Sequence, residues 1–302
     1  MHSSHGLPTE AADPRYQEID TLSVAEIARL MNQADQEVPL AVRKTLGQII
    51  PAIEAASDRM AHGGRLIYVG AGTPGRIGVL DASEIPPTFS TRGKVLGIIA
   101  GGPEAIVNAT EGAEDDEAAG AAAMDEADVG RNDSVLGVAA SGRTPFVIGA
   151  VRRARERGAL GIGLSCNPET PLSSTADHGI EVIVGPEIVR GSTRLKAGTA
   201  QKLVLNMFST ISMIRLGKTY GNFMVDVQAS NEKLRRRAQN IVLEITGSAL
   251  DEAQQALEAT DYSVPAAVVM LKTGLGAAQA RQALDRSGGR LRDALKALET
   301  AG

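Results

Sequence analysis

Five short apolar runs, each closing on a loop of small or polar residues, constrain this chain more than any other feature. Residues 66–69 (LIYV) run into Gly70-Ala-Gly-Thr-Pro-Gly75, and residues 95–100 (VLGIIA) into Gly101–Gly102. Residues 134–140 end in Ser141–Gly142, residues 160–164 in Ser165-Cys-Asn-Pro168, and residues 180–184 in Gly185–Pro186. Near-continuous aliphatic strands of this length belong in a parallel sheet covered on both faces. Helix-forming stretches at 104–127 and 145–157 lie between several of them. The pattern predicts a three-layer α/β/α fold around a five-stranded parallel sheet. Open sheets of this kind bind ligands beyond the carboxyl ends of their strands, so the strand-end loops are where chemistry belongs.

The flanks read differently. Residues 21–56 carry helical periodicity through Ile27, Leu30, Met31, Val38, Val42, Leu46, Ile50 and Ile53, which predicts two or three N-terminal helices closed by Gly63–Gly64. Residues 197–216 form an apolar helix interrupted by Lys202, Asn206 and Arg215, a core helix and not a membrane span. A polar segment, 221–237, leads to a tail of short helices broken at Gly247, Gly274 and Gly288–Gly289, with no strand signal. The expected organisation is an N-terminal helical arm (1–54), a central α/β domain (55–240) and a small helical domain (241–302).

Composition excludes several classes. Of 302 residues, 43% are hydrophobic and 22% charged, which supports a packed core. A net charge of −5 argues against a nucleic-acid or acidic-membrane partner, since phosphate backbones are held by clustered positive charge. Trp is absent, and Phe and Tyr number four each, leaving little surface for base stacking. The lone Cys166 excludes an internal disulfide and sits at a strand end as a small apolar residue. Histidine is scarce: His2 and His5 lie in the terminal segment MHSSHG, which reads as disordered or as an added tag, and His62 and His178 have no partners at ligand spacing. Acid–base chemistry therefore falls to carboxylates. No apolar leader segment is visible, which with the single thiol points to the cytoplasm.

Four stretches carry candidate chemistry. Gly70-x-Gly72-x-x-Gly75 matches the glycine spacing of a dinucleotide loop, but the next strand ends in Ala100-Gly-Gly without the acidic residue that would hold a ribose. The loop therefore suits a phosphate more than a nicotinamide, with a purely structural turn as the other reading. Ser141-Gly-Arg-Thr144 precedes Pro145 and a helix, where hydroxyls and orphan amides favour an anion; simple N-capping is its alternative. The acidic residues Glu84, Glu111 and Glu114 flank these loops. Asp81 to Glu84 reads as a helix end before Pro86–Pro87, and 111–117 as a solvated helix start. Two separated carboxylates beside a phosphate loop are also what a general acid and base require.

Taken together, several ordered blocks resemble the N-acetylmuramic acid 6-phosphate etherases of the sugar isomerase (SIS) superfamily. They are Arg65-Leu-Ile-Tyr-Val-Gly-Ala-Gly-Thr73, Leu80-Asp-Ala-Ser-Glu84 with Pro86-Pro-Thr88, Glu111-Gly-Ala-Glu-Asp115, Ala139-Ala-Ser-Gly-Arg-Thr-Pro145, Lys196-Ala-Gly-Thr-Ala-Gln-Lys-Leu203 and residues 222–234. The resemblance runs from about Glu18 to Thr246 and more loosely to the end. It implies an SIS fold and a cofactor-free, metal-free lyase that removes the D-lactyl ether of N-acetylmuramic acid 6-phosphate in murein sugar recycling. The family's acid falls on Glu84 and its second essential carboxylate on Glu114. Substrate contacts are implied at Gly72, Thr73, Ser83, Glu111, Ser141, Gly142, Arg143 and Thr144. By similarity with the related glucokinase regulatory protein, Asn231 and Lys233 also reach the sugar phosphate. Where the family has Gly-Thr-Ser-Gly in the first loop, this chain has Gly72-Thr-Pro-Gly75, and Pro74 lacks both hydroxyl and N–H. Such chemistry requires Glu84 held neutral by burial while Glu114 stays ionised. The resemblance and the apolar 197–216 helix both imply a homodimer. A sugar-phosphate isomerase and a non-catalytic sugar-phosphate sensor are the rival readings.

Overall fold

The computed structural model describes residues 6–108, 110–227, 229 and 231–301; MHSSHG up to His5 lies outside them. In chain order, α1 (Val24–Asp35), α2 (Glu37–Lys44) and α3 (Leu46–Ala61) precede β1 (Leu66–Gly70), α4 (Gly72–Phe89) and β2 (Val95–Ile99). Then come α5 (Glu117–Glu126), β3 (Ser134–Val138), α6 (Pro145–Glu156), β4 (Leu160–Ser165), α7 (Pro171–Thr175) and β5 (His178–Glu181). After α8 (Lys196–Arg215), a hairpin of β6 (Thr219–Tyr220) and β7 (Phe223–Met224) leads to α9 (Glu232–Thr246), α10 (Leu250–Ala259), α11 (Val264–Thr273), α12 (Ala277–Arg286) and α13 (Leu291–Ala301).

Contacts divide the chain into two compact units. One runs up to Ser83 and from Gly93 to Ser212, and the other comprises Glu84–Arg92 and everything from Met213 onward. The first holds the expected five-stranded sheet, all parallel, in the order β2-β1-β3-β4-β5. Strand alternation divides its side chains between two helical layers. Ile67, Val69 and Val135 share one cluster with Met124 of α5 and Phe146, Val147 and Val151 of α6. Tyr68, pointing the other way, donates its hydroxyl to Asp81 of α4 and reaches the Leu205 carbonyl of α8. The buried Asp81 also accepts from Asn206, so one carboxylate ties α4 and α8 beneath the sheet. Burial, then Asp81, pushes the Tyr68 phenol well above its ordinary value.

The second unit has a separate core. Val225, Ile241, Val242, Leu257, Val268, Val269 and Leu284 form it, with the left-handed Gly247 and Gly274 closing α9 and α11 as the tail pattern predicts.

Four local expectations are corrected. The fifth strand is His178–Glu181, earlier than 180–184, because its pairing is limited by β4, whose last residue Ser165 sits opposite Glu181. The 104–127 stretch is not one helix. Two 3-10 turns (Pro103–Ile106 and Ala113–Asp115) precede α5, separated from it by extended Asp116, whose side chain caps α5 through Ala119 N–H at 2.8 Å. α4 does not stop before the prolines: it continues through Pro86–Pro87 to Phe89, with Thr88 Oγ1 donating to the Glu84 carbonyl at 2.7 Å and Ser90 N–H to that of Pro86 at 3.0 Å. The polar 221–237 segment contains the second strand of a hairpin and the first turn of α9.

The entrance of β3 is fixed by charge. Asp133 is buried and accepts from Arg65 N–H at 2.8 Å, Arg65 Nη2 at 2.6 Å and Gly130 N–H at 2.9 Å. Burial alone would raise its carboxyl, but the Arg65 and backbone donors outweigh that and leave it below its ordinary value. Asp133 is thus ionised in the fold, and its contribution is present above the unfolded carboxylate range and lost as pH falls through the lowered folded value. Asp133→Asn is expected to cost about 2–3 kcal/mol at neutral pH, since the pair is charge-assisted but Arg65 remains partly exposed. Urea unfolding at pH 7 and pH 3 measures it: the gap between variant and wild type must narrow at the lower pH.

Candidate functional site

A 2-1-3-4-5 sheet reverses its winding between β1 and β3, and the crevice beyond their carboxyl ends is the natural ligand position. Both glycine- and hydroxyl-bearing loops stand there. After β1 the chain turns directly into α4 through Gly72, which takes the left-handed region (φ 56°). Gly70 and Gly75 meet face to face: a Cβ on Gly70 would lie 2.6 Å from Gly75 N, and one on Gly75 would lie 2.6 Å from Ile99 Cγ1. The glycine spacing is therefore required by the approach of α4 to the strand. Pro74 falls in the first turn of α4, where a missing N–H is tolerated.

Beyond β3, Thr144 is the N-cap of α6 but its side chain makes no cap hydrogen bond. Ser141 Oγ accepts from Arg143 N–H at 3.2 Å, which leaves the hydroxyl proton to donate. The capping alternative for this loop is thus not realised, and both hydroxyls remain at the N-terminus of a twelve-residue helix.

A cavity of about 250 Å³ opens beside the first loop. Ala71, Gly72 and Arg76 line one side, Ala100 and Ala105 the floor, and Asn108, Thr110, Glu111, Gly112, Ala113 and Glu114 the other side. Arg76 clasps the cavity wall, Nε donating to the Ile106 carbonyl at 2.9 Å and Nη2 to that of Asn108 at 3.0 Å. The acidic stretch is thereby sorted. Asp116 caps α5 and Glu117 pairs with Arg152, whereas Glu111 and Glu114 sit on either side of left-handed Gly112 and face the cavity, exposed. Gly72, Glu111 and Glu114 are thus brought together. Arg76, Asn108 and Thr110 were missed by sequence reading; only Arg76 carries a sequence signal, as the one charge among the loop glycines.

The other expected positions stand as follows. Thr73 is half-buried in the first turn of α4, its Cγ2 within 3.5 Å of where a Cβ on Gly198 would lie. Ser83 is exposed and donates its hydroxyl to the Leu80 carbonyl at 2.7 Å. Glu84, one position further along α4, is exposed, so the burial expected to hold its proton is not built into the chain. In the second unit Asn231 N-caps α9 through Leu234 N–H at 2.9 Å, and Lys233 lines a groove with Phe223, Arg236, Arg237 and Asn240. Cys166 is fully buried, and burial, with Glu187 nearby, pushes its thiol up to about 12, as suits a packing residue and not a nucleophile. Among the described residues no three His, Cys, Asp or Glu converge as a metal site, and no helix is long and apolar enough to cross a membrane.

Residues 48–155 match the glucokinase regulatory protein N-terminal SIS domain, and residues 112–211 the SIS domain. A phosphoheptose isomerase from Francisella tularensis is a structural neighbour with a TM-score of 0.45 at 15% identity, covering 66% of this chain and 99% of its own. Among sequence relatives, the N-acetylmuramic acid 6-phosphate etherase of Streptomyces avermitilis is 58% identical over 96% of this chain and 94% of its own length. That of Pectobacterium atrosepticum is 51% identical over 96% of each. With such identity sustained across nearly the whole of both chains, this chain belongs to the N-acetylmuramic acid 6-phosphate etherase family.

Proposed function

We propose that the chain cleaves the D-lactyl ether of N-acetylmuramic acid 6-phosphate, giving N-acetylglucosamine 6-phosphate and D-lactate. The observation that carries this is the sustained likeness to relatives named for that reaction, over 96% of the chain. The cavity with Glu111 and Glu114 beside the Gly72 loop supports it. In this reading the open-chain aldehyde lies with its phosphate among Thr73, Ser141, Gly142, Arg143 and Thr144, Ser83 and Glu111 contact the rest of it, and Asn231 and Lys233 are assigned to the sugar phosphate by the resemblance alone. Glu114 takes the C2 proton, whose electrons delocalise into the aldehyde as an enolate. The enolate then expels the C3 oxygen: the C3–O bond breaks, a C2–C3 double bond forms, and Glu84 gives its proton to the departing lactate oxygen. Water adds to C3 and a proton returns to C2, regenerating both carboxyl groups. Neither proton transfer needs an electron acceptor, so no redox cofactor is called for.

The divisions at 1–54, 55–240 and 241–302 are proposed as arm, sugar-phosphate domain and tail. The reaction is assigned to the cytoplasm, where a single unpaired thiol and a phosphorylated substrate both belong. Release of D-lactate from the muramic substrate, followed enzymatically, is the test; interconversion of an aldose and ketose phosphate without lactate would establish an isomerase instead.

The working form is proposed to be a homodimer. α8 keeps Val204, Leu205 and Phe208 in the core yet leaves Ile211 and Ile214 exposed, an apolar surplus that a second copy would cover. Light scattering at micromolar concentration is expected to give twice the 31.4 kDa chain mass; a monomer at that concentration refutes the assignment.

A further inference from the structure

The amino-terminal segment is built into the same end of the sheet as the Ser141 loop. Thr9 and Asn167 are 158 positions apart and both fully buried. Asn167 Oδ1 accepts from Thr9 N–H at 3.2 Å, and Asn167 Nδ2 donates to Thr9 Oγ1 and to the Ala140 carbonyl, each at 2.9 Å. Ala140 directly precedes Ser141, and its carbonyl also accepts from Cys166 N–H at 3.0 Å. One carboxamide therefore joins the segment around Thr9, the strand-end turn after β4 and the start of the loop after β3. The far side of that loop is held as firmly. A Cβ on Gly142 would lie 2.4 Å from Thr170 Cβ, and the Gly142 carbonyl accepts from Leu172 N–H at 3.0 Å.

The elimination gives Asn167 and Thr9 nothing to do. A buried carboxamide with its oxygen and both amide protons engaged is costly to build and leaves its partners unpaired when removed. The segment carrying Thr9 is anchored independently, since Arg190 Nε donates to the Glu10 carbonyl at 2.8 Å and Tyr16 packs with Ala34 and Ile188. We propose that Asn167 is the positioning residue of the 141–144 loop and that Thr9 completes it, so that phosphomonoester binding there depends on the docked amino-terminal segment. This rests on the reading that the loop receives the substrate phosphate. The loop offers hydroxyls and backbone N–H groups, which discriminate by distance, and a misplacement of about 1 Å is enough to cost up to ~100-fold.

The test uses the full chain and four variants: Thr9→Val, Thr9→Ser, Asn167→Asp and Ser141→Ala. Steady-state kinetics on N-acetylmuramic acid 6-phosphate are paired with calorimetric binding of N-acetylglucosamine 6-phosphate and with thermal unfolding. Thr9→Val keeps the shape and loses the hydroxyl, and is expected to raise KM and the product dissociation constant about fivefold to tenfold with kcat little changed. Thr9→Ser restores wild-type values. Asn167→Asp turns an oxygen toward the Ala140 carbonyl and is expected to raise KM about 10- to 100-fold. A lowered Tm with unchanged KM in Thr9→Val would show a purely structural contact and overturn the proposal. Should Ser141→Ala raise KM while Thr9→Val and Asn167→Asp do not, the loop binds phosphate without this support and only the present inference fails. Should Ser141→Ala leave both KM and product binding unchanged, the phosphate sits elsewhere, and the reading of the loop falls with the inference.

Discussion

Glu84→Gln is expected to abolish D-lactate release while leaving exchange of the substrate C2 proton with solvent intact. A carboxamide preserves shape and hydrogen bonding but has no proton acidic enough for a departing alkoxide, so the enolate forms and returns without losing its C3 substituent. Loss of one general acid typically costs about 10²–10⁴-fold, and the poor leaving ability of a lactyl alkoxide places this case at the upper end. Glu84 is exposed on α4. In deuterated buffer, the C2 proton signal of the muramic substrate should disappear with the variant while no lactate methyl signal grows. If exchange and elimination vanish together, the two roles do not divide between Glu84 and a separate base.

Four of the five strands were legible because each is a short apolar run of mainly aliphatic residues and glycine that stops at glycine or serine, whereas the fifth, His178–Glu181, overlaps its apolar run only at Ile180 and Glu181. Strand order was not legible, and it is strand order that sets the β1 and β3 loops at the winding reversal. Local errors arose where long-range pairing overrides composition. The apolar run at 180–184 continues past the strand, because β5 ends where β4 ceases to offer partners. Pro86–Pro87 suggests a helix end, yet proline spares the carbonyls of its own turn, and those of Glu84 and Pro86 still find donors. The acidic stretch 111–117 has the composition of a solvated helix start. Only the left-handed Gly112 and the extended Asp116 reveal that it contains a cap, an ion pair and two cavity-facing carboxylates. Asn167 carries no local signal at all, because its meaning lies in a partner 158 residues away.

Glu114→Gln should differ from Glu84→Gln in kind. Without a carboxylate to accept the C2 proton no enolate forms, so exchange and lactate release fall together, each by about 10²–10⁴-fold. Glu111 lies across Gly112 in the same cavity, which makes Glu111→Gln the internal control. It retains the base and is expected to raise KM with exchange still measurable. The cavity of about 250 Å³ also allows a stronger test. Glu114→Ala opens room for a small carboxylate, and added formate should restore exchange and elimination in the same proportion, because one proton abstraction precedes both. Formate should leave Glu84→Gln unchanged in exchange, where the native base is still present. Full exchange in Glu114→Gln would assign the base to another residue, with Glu111 the next to be tested, since both carboxylates line the one cavity beside Gly72.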